Sequence, residues 1–435
     1  MPGTRPGMTT EIGAGVPLRR QLYALHTPNI QIGYTSLKMI SVYLDSHHIS
    51  RIASGRSTLS DAFGPEDGLC FSHSHIVEAL PKEPTNIESS IARLRLITDS
   101  TATGLIPWSH VLKLEALNSG ELSLRDIVCP ISEILFYGLD ATEFGTRSHW
   151  LKKAKTSLDK RLADIPDANQ RRSMRAKLFK HGKFTPFARQ LLRQQQATFI
   201  DSNSDTLPEL TLPEFRPLFE DGGMYDFLSG KVSEQKYRET FMKTAGNPIV
   251  LASLIAYPEL AIMDVSKYLW NETSRLTERV STLVRGLVQI QTSSGPVPFK
   301  RLNAELAKVF KSTSSRIELA SALTGHIVSD EMLSKMQATS LFVDSIGQYV
   351  MDKVGTYANT ASPNFASEIK FERSDFADLT HIVYAPYVHI FGCDGATKDR
   401  IRKAGYPIKH IVTSDAELAQ KLHEARTGHK KDADG

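Results

Sequence analysis

The chain has 435 residues, 41% apolar and 23% charged, with 27 Gly and 21 Pro. This is an ordinary globular composition, which excludes collagen-like, disordered and low-complexity classes. The three cysteines, Cys70, Cys129 and Cys393, stand far apart with no CxxC pair, which excludes a disulfide scaffold or a cysteine zinc site and fits a reducing cytoplasm. The net charge of +4 hides an asymmetry: residues 147–193 hold fourteen Lys/Arg against three Asp, a balance of +11 that leaves −7 for the rest. A basic stretch on an acidic body is the footprint of a polyanion partner, set against the plainer role of a solvated helix face.

Residues 1–36 are expected to be a flexible extension, with no apolar core of a secretory signal between Met1 and Gln21. Leu37–Leu44 reads as a buried strand stopped by Asp45, and Leu69–Ser72 as a second strand running into a helical His75–Leu80. From about Ile87 to Val354 the apolar spacing is almost wholly helical, with Asp201–Asp226 as an acidic, proline-bearing connector and Met332–Val354 as one long helix. The most apolar stretch, Ile249–Tyr257, is far short of the roughly 20 residues a membrane span needs. The α/β alternation then returns, with a helix over Asp375–Ala385, a strand over Val388–Cys393 and a helix over Ala396–Ala404. A strand over Ile408–Thr413 and a helix from Ser414 follow, the latter with Glu417 set to close a capping box. The expected architecture is an α/β, parallel-sheet domain made of 37–97 and 331–424, split by a mostly helical insertion at 98–330 and followed by a flexible tail at 425–435.

Asp45 and Asp394 each follow a strand directly, and ligands of an open parallel sheet sit beyond the carboxyl ends of its strands. Glu78 lies in the first helical turn after the second strand. Asp375 and Asp378 share a helical face 19 and 16 residues before Asp394. A lone Asp after a strand is usually a helix cap, but two at separate strand ends, with acids on adjoining helices, are harder to assign to capping. Oxygen donors without cysteine suit hard ions such as Mg²⁺ or Mn²⁺, which activate water and stabilise the leaving oxygen of a phosphodiester.

The segments VYLDSHHI, SHSHIVEAL and SDFADLTHIVYAPYVHIFGCDGAT together resemble the PIN domain, a metal-dependent nuclease fold. The unit D-x-x-D-x-x-H-x-x-Y-x-P-Y-V-x-I-F-x-x-D is also similar to a bacterial PIN-like subgroup with long helical sections. The resemblance implies Asp45, Glu78, Asp378 (or Asp375) and Asp394 as catalytic acids. Of these, Asp45, Glu78, Asp378 and Asp394 would be metal ligands for Mg²⁺ or Mn²⁺. It implies hydrolysis of RNA, less often DNA, leaving a 5′-phosphate and a 3′-hydroxyl, in a toxin-like or phage-defence setting. The insertion is longer than in a minimal PIN domain, and it would select substrate, bind a protein partner or hold a homo-oligomer.

Nucleic acid is expected to meet Thr397 and the free N–H groups at its helix start, along with Lys398, Arg400 and Arg402. Within the basic stretch it would meet Arg171, Arg172, Arg175 and Lys177, interleaved with aromatics of which Phe184 and Phe187 read as core. A silent PIN scaffold is the alternative from another class, and a DNA-directed PIN-like nuclease is the nearer rival. A His-ligated hydrolase built on His73, His75 and Glu78 is a minor alternative. No GxGxxG, GxxxxGK[ST] or GxSxG motif is present.

Overall fold

Strand β1, Ile40–Leu44, is buried along its whole length, as its uninterrupted apolar and aromatic sequence requires of a strand covered on both faces. The computed structural model describes residues 40–433, except 58–62, 65–66, 82, 99–101, 136–145, 182, 205–222, 257–269, 293–298 and 359–368. The extension expected at 1–36 lies outside the described residues.

After β1 come α1 (Ser46–Ala53), β2 (Asp67–Ser72), α2 (His73–Ala79), α3 (Ile87–Thr98), β3 (Thr103–Leu105), α4 (Trp108–Leu117), α5 (Leu124–Ile127), β4 (Val128–Cys129) and α6 (Ile131–Ile134). The basic stretch folds as α7 (Arg147–Ala163), α8 (Ala168–Leu178), a small hairpin of β5 (Phe179–Lys180) and β6 (Lys183–Phe184), and α9 (Pro186–Asn203). Helices α10 (Met224–Leu228), α11 (Glu234–Ala245), α12 (Pro248–Ala256), α13 (Asn271–Thr292), α14 (Phe299–Lys311), α15 (Thr313–Thr324), α16 (Asp330–Lys335) and α17 (Gln337–Ala358) follow. The chain closes with α18 (Arg373–Thr380), a 3₁₀ segment His381–Tyr387, β7 (Ile390–Gly392), α19 (Gly395–Lys403), β8 (Ile411–Val412) and α20 (Asp415–Ala433).

The main sheet has the order β4-β3-β2-β1-β7-β8, parallel throughout except for β4 against β3. The two ends of the chain therefore meet in one sheet, as expected of an α/β fold. Two of its strands, β3 and β4, fall inside 98–330, which reads as helical in sequence. With three and two residues they are too short to display a period of two. Residues 40–435 form one compact unit, and one continuous core joins sheet residues such as Tyr43 and Phe391 to helical ones such as Val250, Val284 and Phe342. Helix α12 packs on α3, and α13 on α18. The helical stretch is therefore part of the same body as the sheet.

Helix α17 is the spine of this body. It contacts α4, α14, α15, α16, α18, α19 and the 3₁₀ segment. The long helix expected over Met332–Val354 is divided at Met336, whose ψ of 82° interrupts the helix between α16 and α17. The helix expected over Asp375–Ala385 likewise tightens after Thr380 into the 3₁₀ segment, which contains Pro386. At the C-terminus, α20 continues to Ala433 where a flexible tail is expected at 425–435. Ala, Glu, Lys and Arg favour that helix, and Arg426 anchors it by bonding Asp67. Its cap is also shifted: Glu417 N donates to Ser414 Oγ at 3.2 Å, but the Glu417 carboxylate takes the N–H of Thr413 at 2.7 Å.

Candidate active site

Strands β1 and β7 are parallel neighbours, with Leu44 opposite Gly392. From β1 the connections run one way to β2 and β3, while β7 and β8 lie on the other side. This is the topological switch point, where a crevice opens beyond the strand ends. Asp45 leaves β1 at that edge and Asp394 leaves β7. The two are tied directly, since Asp394 N donates to Asp45 Oδ2 at 3.1 Å, and Asp45 N donates to Gly392 O at 2.8 Å. Gly392 permits the close approach: a Cβ there would lie 2.5 Å from Leu44 Cδ2.

Both aspartates are also helix caps. Asp45 Oδ1 accepts from His48 N at 3.0 Å and His48 Nδ1 at 2.8 Å, starting α1. Asp394 Oδ1 accepts from Thr397 N at 2.6 Å, starting α19. Capping occupies one oxygen of each, and Asp394 Oδ2 accepts no hydrogen bond from the described residues. Burial opposes ionisation of Asp45, yet the hydrogen bonds of His48 hold its carboxyl below the usual range.

Glu78, on α2, is held by a histidine from the 3₁₀ segment. Both its oxygens lie 3.3 Å from His381 Nε2. His381 is buried, and its Nδ1 lies 2.6 Å from Tyr43 Oη, which lies 2.8 Å from Ser72 Oγ. Burial works against a charged His381, but the carboxylates of Glu78, Asp45 and Asp378 raise its pKa above the ordinary value. Nε2 donates to the Glu78 carboxylate, while Nδ1 shares a hydrogen bond with the Tyr43 hydroxyl and that hydroxyl shares one with Ser72. His75 meets His381 edge to face, with ring centroids 4.6 Å apart and planes at 62°. Burial and then the charge of His381 push its pKa well down. Its Nδ1 accepts from Ser72 N at 3.0 Å, and its Nε2 donates to Leu44 O.

Of the two candidates for the third acid, Asp378 belongs to this cluster. Partial withdrawal from water, then repulsion from Glu78, Asp394 and Asp45, pushes its pKa up to about 6, and only His381 opposes the rise. Its carboxylate accepts no hydrogen bond from the described residues. Asp375 is engaged elsewhere: it accepts from Glu372 N at 3.0 Å, capping α18, and pairs with Lys353 Nζ at 3.0 Å. Despite partial desolvation, the hydroxyl of Tyr349 and these partners hold Asp375 below the usual carboxylate range.

The donor set of Asp45, Glu78, Asp378 and Asp394 fits a hard divalent cation in kind, since all are carboxylates and their mutual repulsion calls for positive charge. Among the described residues, no three His, Cys, Asp or Glu side chains stand together as a completed metal site. The acids share an electrostatic neighbourhood without meeting at one point. The HxH alternative loses its premise, because His73 and His75 lie in helix α2, not in a strand that would place them on one face, and His75 is bonded internally.

The expected nucleic-acid residues divide. On α19, Thr397 is buried with its N–H already given to Asp394. Lys398 reaches Glu417 at 3.4 Å, Arg400 lies over the Tyr349 ring at 5.5 Å, and Arg402 pairs with Asp399. In the basic stretch, Arg171 donates to Ile165 O at 2.8 Å and Arg175 pairs with Asp159 at 2.8 Å. Arg172 and Lys177 are exposed, with no acidic partner among the described residues. Phe184 is buried as expected, but Phe187 is 48% exposed. It stands in the first turn of α9, where Ala188 takes the inward position.

Sequence reasoning missed His48, Tyr43 and Ser72 as parts of the site. The pair D-x-x-H at Asp45 and His48 was the available signal, because three residues is the reach of a helix cap. Tyr43 and Ser72 carry no such mark, since their partners are supplied by the sheet and by the 3₁₀ segment. Among the described residues no helix is long and apolar enough to cross a membrane, and all three cysteines are free and buried. No protein-family model matches the chain, and neither a curated protein nor a solved structure matches it.

Proposed function

We propose that this chain is a PIN-like, divalent-metal-dependent nuclease that hydrolyses phosphodiester bonds, with RNA as its substrate. One observation supports the reading: Asp45 and Asp394 are tied together at the switch point of a parallel sheet, and Glu78 and Asp378, from separated segments, share their electrostatic neighbourhood. Asp45 and Asp394 would hold Mg²⁺ or Mn²⁺, with Glu78 and Asp378 completing the site. When bound, the cation supplies an activated water and charge stabilisation at the leaving oxygen. The chain's own part is to keep Asp45 ionised through His48, to aim Glu78 through His381, and to keep the Asp378 carboxylate open to the crevice.

A silent scaffold is the second reading, favoured by the fact that Asp45 and Asp394 both have structural employment as helix caps. Cleavage of labelled single-stranded RNA, structured RNA and DNA in Mg²⁺, Mn²⁺ or EDTA separates the two. The nuclease reading expects metal-dependent RNA cleavage that Asp45→Asn and Asp394→Asn each abolish. DNA-only cleavage would keep the chemistry and change the substrate. Inert wild-type protein in every metal would give the scaffold the better claim.

A further inference from the structure

Between Asp167 and Asp201 the chain carries eight Lys/Arg and no acidic residue. This segment folds as α8, the β5–β6 hairpin and α9, all packed together. Alternation in the hairpin sorts its residues by face. Phe179 and Phe184 are cross-strand partners with ring centroids 4.6 Å apart, and Phe184 is buried, so this pair fastens the hairpin to the core. Thr185 N donates to Leu178 O at 3.0 Å, closing the same end.

The next pair in register is Lys180 opposite Lys183. Both are exposed, and neither has an acidic partner among the described residues. Like charges directly opposite across a strand pair destabilise it, so this arrangement costs folding free energy locally. Between them His181 is exposed at φ 49°, a left-handed turn that non-glycine residues adopt uncommonly. Arg172 and Lys177 stand exposed on the adjoining helix α8. Phe187, three residues beyond β6, is one of four exposed large hydrophobic side chains among the described residues.

We propose that the tip of this hairpin, Lys180, His181 and Lys183, together with Lys177 and Phe187, is a binding surface for single-stranded nucleic acid. The lysines contact phosphates, and Phe187 offers a ring on which an unpaired base stacks. A phosphate seated between Lys180 and Lys183 removes the repulsion that the free hairpin bears. A flat exposed ring three residues beyond the charged strand favours an unpaired strand over a duplex, whose bases are already stacked. The surface gives the proposed nuclease its substrate-holding element, but it stands on its own residues and binds whether or not the acids cut.

The test uses full-length protein carrying Asp394→Asn, in EDTA, with a labelled oligouridine and a duplex of equal length as probes. Lys180→Glu should weaken oligouridine binding about five- to tenfold at low salt. Each of Lys180→Ala and Lys183→Ala should reduce the slope of log affinity against log salt by about 0.7. Phe187→Ala should weaken binding at least about fivefold, and Phe187→Tyr should restore it.

The thermal midpoint of Lys180→Glu should hold or rise, because the new carboxylate faces Lys183. A merely structural role for Lys180 would move both readouts downward together. Oligouridine binding within twofold of the parent in Lys180→Glu/Lys183→Glu would overturn the proposal, as would equal affinity for the duplex. Wild-type protein that never cuts, while these variants lose binding, would sink the nuclease reading and leave the surface standing. Wild-type protein that cuts RNA, while Lys180→Glu/Lys183→Glu binds oligouridine as tightly as the parent, would do the reverse.

Discussion

His381 joins two carboxylate-bearing parts of the fold, since it binds Glu78 with one ring nitrogen and the hydroxyl of β1's Tyr43 with the other. Removing a buried partner leaves the other group desolvated and unpaired, which costs more than the bond itself contributed. His381→Ala should therefore destabilise the protein by about 2–4 kcal/mol in urea titration. On the proposed nuclease reading, at a temperature where the variant is folded, kcat for RNA cleavage should fall while KM stays, since His381 would aim an acid without touching substrate. His381→Gln, which keeps a donor toward Glu78, should recover part of kcat.

Asp378 has the opposite problem, a carboxyl crowded by Glu78, Asp394 and Asp45 and raised to about 6. A raised acid favours its protonated form in the fold, so its contribution is present below the unfolded pKa and is lost as pH rises through about 6. In EDTA, Asp378→Asn should have a higher thermal midpoint than wild type near about pH 7, and the difference should close toward about pH 4. A constant difference across that range would show that the crowding is not electrostatic.

At the scale of elements, the start of α17 depends on a residue far away in sequence. Glu115 on α4 is buried, and its carboxylate accepts from Ala338 N at 2.9 Å, Thr339 N at 2.8 Å, Thr339 Oγ1 at 2.7 Å and Tyr387 Oη at 2.5 Å. It caps a helix from outside that helix and ties it to the 3₁₀ segment before β7. Burial outweighs these bonds and raises the Glu115 pKa. Glu115→Ala should cost about 3 kcal/mol or more by denaturant titration, since it orphans several buried donors at once. Tyr387→Phe, which removes one of the four bonds, should cost about 1–2 kcal/mol.

This tie was not legible in the sequence. A glutamate in the last turn of a helix looks like any exposed charge, and nothing local marks it as the cap of another element. The strands β1, β2 and β7 were legible because apolar runs ending in polar residues are read locally. Strands β3 and β4 were not, since their pairing depends on the approach of Gly104 to Cys129. There a Cβ would come within 2.4 Å of the Cys129 carbonyl oxygen.

On the scale of the whole molecule, Asp45 and Glu78 come from one end of the chain and Asp378 and Asp394 from the other. The crevice therefore exists only when β1 and β7 have paired across that separation. Asp45 and Asp394 were visible in the sequence because each follows a strand and caps a helix, whereas Glu78 and Asp378 lie near the ends of α2 and α18 and were marked only by their place in the motif. What the sequence left unresolved was the choice between Asp375 and Asp378. Both lie on the same short helix, and only the packing of Lys353 and Tyr349 onto Asp375 separates them. The expected role of α19 as a backbone clamp also met partners inside and outside the helix: Asp399 pairs with Arg402 and Lys403 one turn away on α19, and Glu417 on α20 pairs with Lys398.

If the four acids act together on a cation, that cation binds the folded chain and not the unfolded one, so it must stabilise the fold. At a concentration about ten times Kd the gain is about 1.4 kcal/mol. Over a chain of this length that gain raises the thermal midpoint by only about 1–2 °C. Mn²⁺ should produce that shift in wild-type protein, and Asp45→Asn/Asp394→Asn should abolish it. Asp375→Asn should lower the midpoint through its lost ion pair yet keep the Mn²⁺ shift. A shift that survives loss of Asp45 and Asp394 but disappears with Asp375 would move the metal away from the switch point. The crevice would then be an acidic cap cluster held together by His48 and His381.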